Sequence, residues 1–206
     1  MNGNSTKIFF IRHGITEQTG KVLYGRNSGI NLSDEGILQA KKTGEYLANV
    51  KIDKVISSPL ERAFQTAEQV AVHHGLEVET IDDISDTDTG IWTGMKIKDA
   101  IKEKEWQLIL TRPSQYTFKD GESFQDVFNR MNKNVMEIVR NNSGKNIVIV
   151  AHRDPIIILM AHYLGIHMDN FQRVPCAPAS ISIVDFHGIL AEVRGVGILP
   201  SSRIEE

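Results

Sequence analysis

Two short apolar runs constrain this chain more than any other feature. Residues 7–11 (KIFFI) and 146–150 (NIVIV) each lead almost at once to a histidine, through Arg12 to His13 and through Ala151 to His152. Runs this short and this apolar read as strands buried on both faces, the kind found in parallel sheets covered by helices. Residues 54–57 (KVIS) and 76–81 give further strand candidates, and 180–186 and 189–194 a closing pair around His187-Gly188. Helical patterns fall between them. One begins at Ser33, placed as an N-cap, with Ile37, Ala40 and Leu47 near helical spacing. A second opens on Ser58-Pro59-Leu60-Glu61, read as a capping box, and closes at Gly75. A helix is expected over 95–110, stopped before Pro113. Another starts near Glu122, with Phe124, Val127, Phe128, Met131, Val135 and Ile138 on one face, and a short apolar one follows Pro155. Residues 15–32 and 82–94 read as loops. The alternation predicts an α/β three-layer sandwich with a mostly parallel central sheet flanked by helices. In such sheets ligands sit beyond the carboxyl ends of strands, so His13 and His152 mark the place to look.

The 206 residues suit one domain spanning 1–206. With 23 Lys and Arg against 26 Asp and Glu, the net charge gives no reason to expect a nucleic-acid or anionic-membrane partner. A single cysteine, Cys176, excludes a disulfide framework and suggests a reducing compartment. The polar start, residues 1–6, lacks the features of a signal peptide, and no apolar stretch reaches the length of a membrane span. A cytoplasmic enzyme is therefore expected. Whether an edge strand pairs two copies into a homodimer is open.

Four short segments can carry chemistry. Arg12-His13-Gly14 follows a strand; it is either a capped loop histidine or a nucleophile beside an arginine able to fork onto a phosphoryl group, with a glycine that lets the backbone approach a ligand. Arg62 stands in the first turn of a helix, where a cation is disfavoured unless an anion is near. His152 is either a core histidine satisfied by backbone or a donor to phosphoryl oxygens. The acidic stretch 86–94 (DTDTGIWTG) offers a carboxyl for general-acid work or an ordinary Asx turn, the latter preferred for Asp88.

Taken together, these segments resemble the histidine phosphatase superfamily, also called phosphoglycerate mutase-like. The resemblance runs from Lys7 to about Phe186. It rests on Arg12-His13-Gly14 with Thr16, Leu32-Ser33-Asp34-Glu35-Gly36 with Gln39-Ala40, and Ser58-Pro59-Leu60 with Arg62 and Gln65-Thr66-Ala67. Gly90-Ile91-Trp92-Thr93-Gly94, Gly121-Glu122-Ser123 and His152 complete it. Residues 151–155, 171–174 and 178–182 are similar to a branch of short probable phosphomutases or phosphatases. The resemblance implies a metal-independent, cofactor-free phosphomonoesterase acting on a small phosphorylated metabolite. His13 is implied as the nucleophile, with Arg12, Arg62 and His152 around the phosphate. Asp86 stands where the family usually carries glutamate as proton donor. Thr19 replaces a common asparagine, Gly25 and Arg26 lie in the substrate loop, and Arg153 replaces a common glycine. Arg26 and Arg153 thus become candidates for a second anionic group on the substrate, unless each pairs with a carboxylate such as Asp154. The rival readings are a phosphoglycerate mutase-type transferase (an isomerase), a binder of phosphorylated ligands without catalysis, and a magnesium-dependent aspartyl phosphatase. The last wants Thr or Val where Gly90 stands and an apolar strand where residues 81–85 (IDDIS) are polar.

Overall fold

The computed structural model describes residues 5–200. Residues 1–4, most of the polar start read above, and residues 201–206, the end of the expected domain, lie outside the described residues. Among the described residues six strands form one sheet: β1 (Thr6–Arg12), β2 (Lys54–Ser57), β3 (Val78–Thr80), β4 (Asn146–Ala151), β5 (Ile181–His187) and β6 (Leu190–Ile198). Their order is β3-β2-β4-β1-β5-β6. The pairs β3–β2, β2–β4 and β4–β1 are parallel, and β1–β5 and β5–β6 antiparallel. The sheet is thus mostly parallel with an antiparallel margin, and it is flanked by helices as the sequence predicts.

Strand alternation builds the layers. Side chains of a strand point to opposite faces in turn. On one face Ile8, Phe10, Ile147 and Ile149 pack with Val127, Met131 and Val135 of helix α5 (Phe124–Asn141) and with Ile156–Met160 of α6 (Arg153–Tyr163). On the other face Phe9, Ile11, Val148 and Val150 pack with Leu47 of α1 (Asp34–Leu47) and with Ala63, Ala67 and Val70 of α2 (Glu61–Ala71). Ser33 caps α1, its side chain accepting from Gly36 N–H. Gly75 ends the 3-10 turn that follows α2 with φ 63°, the left-handed conformation glycine adopts freely. The capping box of α5 is Ser123 with Asp126.

Three helix starts or extents differ from the sequence reading. Helix α2 begins at Glu61, with Leu60 and not Ser58 at the N-cap; Ser58 Oγ accepts from Leu60 N–H and also meets His152 Nε2 at 2.9 Å. The helix expected over 95–110 is two short ones, α3 (Ile97–Ala100) and α4 (Glu105–Thr111); the break lets Trp106 stack on Trp92 at 6.4 Å. Helix α6 begins at Arg153, so Pro155 sits inside its first turn, where a proline lacks no hydrogen bond. The loop 82–94 contains two 3-10 turns, Asp82–Ile84 and Gly90–Trp92. No helix among the described residues is long and apolar enough to cross a membrane.

Candidate active site

Register places the site. Arg12 pairs with Ala151 across β1 and β4, and Ser57 with Val150 across β2 and β4. His13, His152 and Ser58 are the next residue on each strand, so three neighbouring strands deliver them side by side at their carboxyl ends. The imidazoles of His13 and His152 stand edge-on with centroids 5.2 Å apart. His13 N–H bonds to Ala151 O and Ser58 N–H to Val150 O, which extends the ladder one step into the site.

His13 is buried, and its Nδ1 lies 2.7 Å from Gly14 O. A carbonyl only accepts, so Nδ1 carries the proton and Nε2 keeps its lone pair. Burial, with the Arg62 and Arg12 cations, lowers the His13 pKa to about 3. The ring is thus neutral at ordinary pH. Gly14 has a different task from the one the sequence suggests. A Cβ there would lie 2.6 Å from Gly36 O, so the glycine admits the start of α1 rather than a ligand.

Arg62 is wholly buried. Its Nη2 donates to Gly25 O at 2.8 Å and to Asp86 Oδ2 at 3.2 Å, and Nη1 to Asn27 O. The guanidinium lies over the Tyr24 ring, 4.5 Å from its centroid, a cation–π contact. The anion that the helix start called for is therefore present in the chain itself, as Asp86. His152, also fully buried, has Nδ1 3.5 Å from the same Asp86 oxygen. Ser58 Oγ accepts from Leu60 N–H and lies 2.9 Å from His152 Nε2; where its hydroxyl donates to that nitrogen, the ring proton sits on Nδ1. Burial and the nearby cations hold the His152 pKa well below its ordinary value. Burial pushes Asp86 up to about 6; Arg62 opposes that rise and Asp154 adds to it.

An open cavity of about 270 Å³ lies over this cluster. Arg12, His13, Thr19, Tyr24, Gly25 and Asp86 line it, together with Val22, Leu23, Ile97, Arg153 and Asp154. Arg62 and His152 do not line it; Asp86 stands between them and the opening, close to both. Arg12 donates through Nη1 to Cys176 O. Thr19 Oγ1 accepts from Thr16 N–H at 2.9 Å, closing a turn at the cavity wall. Gly25 has φ 46°, and a Cβ there would meet Thr89 Oγ1 at 2.8 Å. Arg153 is paired with Asp154 at 2.7 Å, the pairing that the sequence left open.

Arg26 also does not line the cavity and, unlike Arg62 and His152, is engaged away from His13. Its Nε donates to Asp86 O and its Nη2 pairs with Glu122 at 3.1 Å. With two acceptors so close, it ties loops together instead of facing a ligand. Sequence reasoning missed Ser58 as the partner of His152, Tyr24 beneath Arg62, and Arg130 with Glu122 behind Asp86. A serine before proline signalled a cap, Glu122 stood in the Gly121-Glu122-Ser123 motif without a role, and no local pattern marks Tyr24 or Arg130.

Comparisons with known proteins show the family and the fold. The family model for the histidine phosphatase superfamily (branch 1) matches residues 8–198. Phosphoserine phosphatase 1 of Hydrogenobacter thermophilus is 29% identical over 183 residues, 86% of this chain and 85% of that one. A bifunctional protein of Mycobacterium tuberculosis is 31% identical over 90% of this chain, which spans only 51% of its length. A mycobacterial glucosyl-3-phosphoglycerate phosphatase in complex with VO3 superposes with a TM-score of 0.84 at 25% identity, covering 93% of this chain and 98% of that one.

Proposed function

The chain belongs to the histidine phosphatase superfamily (branch 1), and we propose that within it the protein is a phosphomonoesterase working through a phosphohistidine on His13. One observation carries the reading. Arg12 Nε, Arg62 Nε and His152 Nδ1 are buried without a hydrogen-bond partner, and all three belong to residues gathered about His13. Buried donors left unpaired are costly, and a tetrahedral dianion is the ligand that would satisfy several at once.

In this mechanism His13 Nε2 attacks phosphorus while Arg12, Arg62 and His152 gather charge on the non-bridging oxygens. Such fixed electrostatic complementarity is commonly the largest catalytic term. The bond to the ester oxygen breaks, and Asp86, protonated, gives its proton to that oxygen. The carboxylate then takes a proton from water as water attacks phosphohistidine, which frees His13 and inorganic phosphate and restores the acid. The cationic side chains supply the positive charge that a metal would otherwise bring.

The substrate in this reading is a small phosphomonoester with a second anionic group, met by Arg153, which lines the cavity and engages Asp154 through Nη1. Phosphoserine and glucosyl-3-phosphoglycerate, named in two relatives, both carry a carboxylate near the ester. Hydrolysis is favoured over transfer because the cavity is open and both relatives are named phosphatases. The test is turnover of phosphoserine and 3-phosphoglycerate by the wild type and by H13A. Loss of about 10⁴-fold or more on removing the nucleophile is expected, with an acid-labile, alkali-stable phosphate on the wild type only and no inhibition by EDTA. Full activity in H13A rejects the proposal. Formation of 2-phosphoglycerate on adding 2,3-bisphosphoglycerate would assign the mutase reaction instead.

A further inference from the structure

The segment that bears Asp86 is held by side chains that never reach the cavity. Arg130, on α5, uses all five of its N–H donors. Nη1 donates to Asp83 O at 2.7 Å and to Ser85 O at 2.8 Å. Nη2 donates to Asp86 O at 3.0 Å and to Glu122 Oε1 at 2.7 Å, and Nε to Glu122 Oε2 at 2.9 Å. Glu122 in turn accepts from Asp88 N–H at 2.8 Å and pairs with Arg26, whose Nε also reaches Asp86 O. The backbone of residues 83–88 is thus fixed at Asp83, Ser85, Asp86 and Asp88 by two guanidiniums and one carboxylate. Both Arg130 and Glu122 side chains are only 13% exposed, so the grip is sheltered from solvent.

We propose that Arg130, braced by Glu122, is a positioning residue that sets where the Asp86 carboxyl sits. This rests on the reading of Asp86 as the proton donor. An aspartate is one methylene shorter than the glutamate common in the family, so its reach depends on where its backbone is. A misplacement of about 1 Å can cost roughly a hundredfold in rate. Arg130 fixes that backbone from behind, through three carbonyls of one loop, and makes no bond to the carboxyl itself, which accepts from Thr87 N–H at 2.9 Å and from Arg62. A lysine in its place keeps the charge but lacks the planar five-donor fork.

The experiment compares kcat/KM for two esters, which reports the step that phosphorylates His13. p-Nitrophenyl phosphate releases a stabilised phenolate that needs little proton; phosphoserine releases an alkoxide that needs one. D86N serves as control, and its loss is expected to fall chiefly on phosphoserine. R130M is expected to lose about a hundredfold on phosphoserine and no more than about threefold on p-nitrophenyl phosphate, with R130K between it and wild type. An equal loss on both esters by an R130M protein of wild-type melting temperature makes Arg130 merely structural and overturns the proposal, as does no loss on either. Should R130M fail to fold, E122Q carries the same comparison, with a selective loss of about tenfold expected and an equal or absent loss overturning the proposal. If D86N itself loses both esters equally, the acid assignment fails first, and the positioning role fails with it.

Discussion

Asp86 Oδ2 sits 3.2 Å from Arg62 Nη2, so the carboxylate proposed as the proton donor is also the anion that neutralises the wholly buried Arg62. A phosphoryl group bound on Arg62 and His152 would compete with it. Its arrival would turn the carboxyl off Arg62 and set a dianion beside it, which favours the protonated form. Binding and arming of the acid would be one event. D86N removes the internal competitor and one like charge. It is expected to bind inorganic phosphate about tenfold tighter than wild type at pH 7, within the range of one charged hydrogen bond. Titration calorimetry decides this. Weaker binding by D86N would mean that the carboxyl helps to hold the anion.

The pH dependence of phosphorylation follows from the same pair. His13 stays neutral down to about pH 3, so it sets no acid limb in the working range. Asp86 must be protonated to donate, and its pKa is pushed up to about 6. The kcat/KM of wild type on phosphoserine is expected to fall as pH rises through about 6, approaching tenfold per unit. The substrate's own second ionisation also lies near 6, so the ratio of wild type to D86N isolates the Asp86 contribution. That ratio should be large at pH 5 and shrink toward pH 8. A ratio independent of pH would remove Asp86 from the role.

Ser58 offers a prediction of a different kind, because it meets no ligand. Its hydroxyl lies 2.9 Å from His152 Nε2, and in the proposed mechanism, where Nδ1 donates to the phosphoryl group, the hydroxyl is the donor to Nε2. S58A leaves that nitrogen buried and unpartnered and frees the ring to place its proton on the wrong atom. A loss of about tenfold in kcat/KM is expected, the size of one neutral hydrogen bond, equal for p-nitrophenyl phosphate and phosphoserine, because the phosphoryl group is common to both. A loss confined to phosphoserine would place Ser58 with the acid instead.

The residues that the sequence placed correctly are those whose signal is local. His13 and His152 follow apolar strands, and Gly75 and Ser33 are end signals that need nothing beyond their own turn. What stayed hidden depends on neighbours distant in the chain. Ser58 reads as a helix cap until β2 is known to lie beside β4, when its hydroxyl turns to His152. Residues 95–110 carry no breaker, yet they form two helices, with Trp106 of the second stacked on Trp92. Arg26 has the sequence context of a ligand contact, and only the fold shows Glu122, almost a hundred positions on, already at its guanidinium. Arg130 gives no local sign at all, being one charge on an amphipathic helix. Ionic partners across loops are invisible to periodicity, because any exposed-face arginine has the same pattern.

Acid stability supplies a test that needs no substrate. His13 is 2% exposed, with its pKa lowered from 6.5 to about 3 by burial and by Arg62 and Arg12. Between those values the unfolded chain binds the proton and the folded chain does not. The unfolded state therefore binds more protons, and stability rises with pH across this window. Put the other way, the contribution of His13 is complete above about pH 6.5 and is lost progressively as pH falls toward 3. At pH 5 the penalty is about 2 kcal/mol, because each pH step of one below the unfolded value costs about 1.4 kcal/mol. His152, lowered as well, adds a penalty of the same sign. In H13Q the His13 penalty is absent, so the stability difference between wild type and H13Q should move in favour of H13Q by about 2 kcal/mol between pH 7 and pH 5. Urea unfolding at the two pH values measures this directly. The opposite change would mean that the imidazole is charged in the folded protein, which is incompatible with its attack on phosphorus.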